Sequence, residues 1–215
     1  MLDQAPIQGG SIHTVPLTGL TRTDNLKTIR LGIAAGLFAC LAYPLAVFAP
    51  LPKLATVSLM ACFGPALAVG CYGIKRLIDL EKPLLSTTLG LLLNVVAGGL
   101  FVAMGMVQLA IGSLIDKVPR PFVAIWLGLD VAWSAYVGFG TICFSVAMWK
   151  HPRFGRTFAI SGIAIGAGLL ALHLYTFPLP PKNAGLVDLG PALGLWYLVV
   201  VIRMWQSLSW ARLKS

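Results

Sequence analysis

Acidic residues are scarce in this chain: seven Asp and Glu stand against sixteen Lys and Arg in 215 residues. Charge of either sign is scarce too, at 11% of residues, where a soluble domain carries about 25%. With 58% hydrophobic residues and a mean hydropathy of +0.86, the chain has too little polar surface to cover itself in water. Lipid must be its solvent.

Other absences narrow the chemistry. The four cysteines, Cys40, Cys62, Cys71 and Cys143, lie in apolar runs with no CxxC spacing and no companion histidine. They read as small packing residues, not as a disulfide frame or a metal site. HExxH, GxSxG, the P-loop, GxGxxG before a helix and CxxCH are all missing. One histidine inside a span leaves no bis-histidine pair for a haem. Intramembrane hydrolysis needs an acid pair, a Ser/His pair or a metal cluster. The expectation is no cofactor, no metal and no enzyme. The polar N-terminus has no apolar signal core, so no cleaved signal peptide is expected. The excess of basic residues sits at the ends of apolar runs, where it signals topology and contact with anionic lipid, and excludes nucleic acid as a partner.

What the chain does have is six apolar runs, at about 28–48, 54–74, 84–111, 122–149, 157–177 and 189–205. Each approaches or exceeds the roughly 20 residues that cross a bilayer. Backbone groups in lipid must be satisfied within the segment, so the runs are helices. The expected fold is an all-α polytopic membrane protein of six transmembrane helices over 23–206. A non-helical arm at 1–22 precedes it. A basic interfacial tail at 207–215 follows, with Trp210 and Leu213 set among Arg212 and Lys214. Thr23 or Asp24 is placed to cap the first helix.

Basic residues alternate between the connections. Twelve of the sixteen fall on one side (Arg22 to Arg30, Lys75 to Lys82, Lys150 to Arg156, Arg203 to Lys214), and Lys53, Lys117, Arg120 and Lys182 fall on the other. The positive-inside rule then puts both termini in the cytoplasm of a plasma membrane, here read as a bacterial inner membrane. The spans form three outward-pointing hairpins. The first and third turn at FAPLPK (48–53) and FPLPPK (177–182), and each is followed by Gly-Pro-Ala-Leu, at 64–67 and 190–193. The middle one turns at Val118-Pro119-Arg120, and the pattern reads as a parallel repeat of helical hairpins.

Asp130 is the only acid inside a hydrophobic run. It lies about ten residues past Arg120, or about 15 Å down a helix. A charged acid there costs at least about 2.5–3.5 kcal/mol, so it must be protonated, paired or facing water. Ser134 is one turn on, and Trp133 and Tyr136 are near. His173, the one histidine inside a span, falls in the same half of the membrane and is the expected partner. Asn94 and Gln108, fourteen residues apart on the third run, share a face that supplies either helix glue or a polar path. Asp188 reads as a helix N-cap before Gly190-Pro191. Glycine pairs at 32/36, 162/166 and 190/194 read as close-packing sites within one bundle. Asp130, His173, Asn94, Ser134 and Tyr136 are the candidate ligand or proton site. The expected function is binding, sensing or transport of a small solute. The rival is a structural or assembly subunit packed against partner membrane proteins or further copies of itself.

Overall fold

The structure is a computed structural model that describes residues 22–114, 120–182 and 184–214. Seven helices follow one another: α1 Arg22–Phe48, α2 Lys53–Asp79, α3 Leu85–Leu114, α4 Arg120–Met148, α5 Gly155–Thr176, α6 Gly190–Gln206 and α7 Leu208–Lys214. There is no strand among the described residues. The first five helices are each long and apolar enough to cross a membrane, and α6 with α7 makes a bent sixth candidate with a 57° turn at Ser207. The chain is an all-helical, multi-pass membrane protein.

The surface has the pattern lipid demands. Leu31, Leu54, Leu174 and Leu195 are each more than 60% exposed, while Asn94, Ser134, Thr141 and Ser145 are fully buried. Water would reverse that order; hydrocarbon does not penalise exposed leucine, and it drives unpaired polar groups inward.

Neighbouring helices pack in chain order from α1 to α5, and α6 closes the bundle between α5 and α1. α6 is also the hub. Its Val201 meets Gly36 of α1, and its Met204 meets Gly73 of α2. Its Tyr197 bonds to Asn94 of α3 and pairs with Thr141 of α4, while its Trp196 donates to Ser161 of α5. Glycine permits these approaches. A Cβ on Gly32 would stand 2.5 Å from the Gly73 backbone, so α1 and α2 touch main chain to main chain. Gly64 meets Gly98 and Gly138 meets Gly166 in the same manner.

Several expectations need correction. α1 begins at Arg22, ahead of the cap expected at Thr23 or Asp24. The rest of the arm at 1–22, and the turn at Val118-Pro119, lie outside the described residues. The three hairpins are not equivalent. α1 packs along α2 and α3 along α4, but α5 and α6 meet over a much shorter stretch. The shared Gly-Pro-Ala-Leu also sits differently: Pro65 lies in the middle of α2, whereas Pro191 is in the first turn of α6. One tetrapeptide serves as an interhelical contact in α2 and as a helix start in α6, so its two copies are not structurally equivalent. The tail, expected as a short interfacial helix, is α7, with Ala211 buried.

Candidate functional site at the Asp130–His173 pair

Asp130 is held on α4 and His173 on α5, two antiparallel helices brought together by the Gly138–Gly166 contact two turns further in. That closeness lets two polar side chains meet across the interface. Asp130 Oδ2 lies 3.8 Å from His173 Nε2; the imidazole side chain is 6% exposed and the carboxylate 21%. His173 Nδ1 is 3.1 Å from the Leu169 carbonyl, one turn back on its own helix. A carbonyl only accepts, so Nδ1 carries a proton and donates it there. Nε2 is then the titrating nitrogen, and it faces the acid. An acid inside an apolar run needs such a partner or access to water.

The surroundings are aromatic. The Phe101 ring centroid is 4.3 Å from that of Phe63, 5.2 Å from Tyr43 and 5.4 Å from Trp133, which is three residues from Asp130. Met60 and Met104 complete this small core. Asp188, in the α5–α6 connection, is within electrostatic range of both His173 and Tyr43. Its Oδ1 accepts from the Gly190 backbone N–H at 2.8 Å. The N-cap itself is Leu189, so Asp188 braces the start of α6 from one residue before the expected position. Two buried donors about one turn along α4 from Asp130, Trp133 Nε1 and the Ser134 hydroxyl, have no hydrogen-bond partner. Ordinary packing satisfies such groups, and each one left open costs about 1–3 kcal/mol.

Of the residues singled out from sequence, Asp130, His173 and Ser134 fall together. Tyr136 is 40% exposed on the outer surface and does not join them. Asn94 belongs elsewhere. It sits beside Gly140, ten residues and about 15 Å along α4 from Asp130. Its amide donates to the Gly90 carbonyl at 2.8 Å and accepts from the Tyr197 hydroxyl at 2.7 Å. Thr141 lies 3.0 Å from the same hydroxyl and bonds to Val137 O. This knot ties α3, α4 and α6, the glue reading of Asn94. Gln108 is exposed rather than sharing that buried face. Tyr197 and Thr141 were missed from sequence; hydroxyls inside spans were the available signal.

The opposite end holds a second polar group. Arg203 Nε donates to the Arg153 carbonyl at 2.7 Å, and Arg153 donates to Ser207 Oγ and Gln206 O, both at 3.2 Å. His151 packs between Phe154 and Trp210 of α7. The Lys75 ammonium pairs with Asp79, whose other oxygen takes the Thr87 hydroxyl at 2.7 Å. Among the described residues, no group of three or more His, Cys, Asp and Glu could hold a metal ion. No protein-family model matches the chain, and no curated protein or solved structure is significantly similar to it.

Proposed function

We propose that the protein binds or senses a small cationic solute at the Asp130–His173 end and links that binding to one proton. The observation that carries the reading is the facing of the Asp130 carboxylate and His173 Nε2 at 3.8 Å, with Nδ1 committed to Leu169. A cation arriving at the acid displaces the shared proton or moves it onto the imidazole. Aromatic side chains beside a carboxylate suit organic cations, and Tyr43 and Trp133 supply them. The open donors of Trp133 and Ser134 offer hydrogen bonds to a polar solute. We further propose six crossings with the basic end in the cytoplasm of a plasma membrane, so that the pair lies in the outward half.

The test is a thermal-shift screen of organic cations on the purified protein across pH. Stabilisation that depends on pH and vanishes in Asp130→Asn supports the proposal. Stabilisation unchanged in Asp130→Asn overturns it.

A second reading, an assembly subunit of a membrane complex, is favoured by a different observation. Leu195, Val199, Ile202 and Trp205 form an exposed apolar stripe along α6. A groove of about 330 Å³ adjoins it, lined by Phe158 and Ser161 of α5 and by Ala192 and Trp196 of α6. Co-purification of a stoichiometric partner in mild detergent, lost on Leu195→Trp, supports that reading.

A further inference from the structure

A cavity of about 380 Å³ opens at the basic end, between the 80–84 and 149–154 connections. Its wall on the membrane side is apolar, with Val146 and Trp149 of the α4 end facing outward. Its rim carries Lys82 and Lys150, both exposed, together with Glu81. Glu81 is engaged by Lys214 at 3.2 Å, so its charge is already met. At the back sits His151, only 5% exposed.

The histidine is the informative group. Its Nδ1 accepts the Arg153 backbone N–H at 3.2 Å, so in the neutral ring the proton is on Nε2. That Nε2 is buried with no hydrogen-bond partner of ordinary geometry, although the Leu77 carbonyl bears on the ring. A buried donor with only the Leu77 carbonyl bearing on it, behind two exposed lysines, asks for an acceptor with negative charge. An apolar wall beneath the same opening asks for hydrocarbon attached to it. We propose that this cavity holds an anionic phospholipid, with its phosphate between Lys82, Lys150 and His151 Nε2 and its upper chain against Val146 and Trp149. Basic pockets between helices at a membrane face bind such headgroups. A free phosphate would satisfy the donors but leave the apolar wall unused.

The experiment uses the full chain in nanodiscs of phosphatidylcholine with and without phosphatidylglycerol, read by thermal melting and by lipid retention in native mass spectrometry. Phosphatidylglycerol should raise Tm and stay bound, and inorganic phosphate added to phosphatidylcholine discs should do neither. Lys82→Gln with Lys150→Gln should weaken retention by roughly thirtyfold. His151→Phe keeps the ring packed on Phe154 and Trp210 while removing the donor, and should also lower retention with Tm in phosphatidylcholine unchanged. Equal retention of both lipids, retention indifferent to the lysine pair, or full reproduction by inorganic phosphate would each overturn the proposal.

Discussion

The two ends of the bundle solve the problem of polar groups in lipid in opposite ways. At the basic end, Arg153, Arg203, Ser207 and Gln206 bond to one another, Asp79 is met by Lys75 and Thr87, and α7 folds over the result. The large buried core, from Ile29 and Leu77 to Met148 and Met204, lies beneath it. At the other end one acid faces one imidazole, two buried donors go unmet, and a small aromatic core stands apart. Polar groups that bond mutually hold a structure. Polar groups that face one another without closing a hydrogen bond, and that leave donors open, can answer a ligand. We read the first end as a clamp, with His151 Nε2 the one donor left open among the groups named there, and the second as the proposed solute site.

The largest test of this contrast is steric. Gly32→Leu puts a side chain where the Gly73 backbone already stands, and should cost about 3 kcal/mol or more, since backbone cannot yield as a flexible side chain does. Gly128, in the same half of α4 as Asp130, has open space around it. Gly128→Ala should stay within about 0.5 kcal/mol of the parent. Equal losses in a thermal or denaturant melt would erase the difference between the ends.

Next comes Arg203→Ala, which removes the link from α6 to the 149–154 connection. It should cost about 1.5–3 kcal/mol, as for hydrogen bonds to charged groups, and expose α7 to protease. Asn94→Leu, at mid-bundle, should cost about 1 kcal/mol, the scale of interhelical hydrogen bonds in membranes. A smaller loss at Arg203 than at Asn94 would place the clamp in the wrong region.

The pH response of the basic end is smaller again. Burial pushes the His151 imidazole below its ordinary range, aided by the Arg153 charge and opposed by Glu81 and the Leu77 carbonyl. The folded state thus favours the neutral ring. Its contribution is present above the ordinary histidine pKa and is lost as pH falls through that value toward the lower folded one. Protease cutting at α7 should rise on acidification across that window, and His151→Phe should flatten the rise.

Much of this was legible in the residues. The apolar runs located the long helices, because length and backbone satisfaction leave lipid few alternatives. Asp130 and His173 stood out because ionisable groups in such runs are rare. The hub role of α6 was hidden, since it depends on which glycine of a distant helix faces Val201 or Met204. Asn94 was misjudged as a companion of Asp130 for a related reason. Helical periodicity says which residues share a face of one helix, but not which neighbour that face meets. The Gly-Pro-Ala-Leu match misled because four small residues recur easily in a Gly- and Leu-rich chain.

The most direct measurement is a paired titration in lipid. The His173 ring is followed by nitrogen NMR, and the Asp130 carboxyl by its infrared band. In the parent the two should titrate as one coupled unit. Asp130→Asn, which should leave the melting temperature almost unmoved, should shift the ring's titration, and His173→Gln should shift the carboxyl's. If each group titrates the same with its partner removed, they do not share a proton, and the Asp130–His173 end is not a proton-linked site.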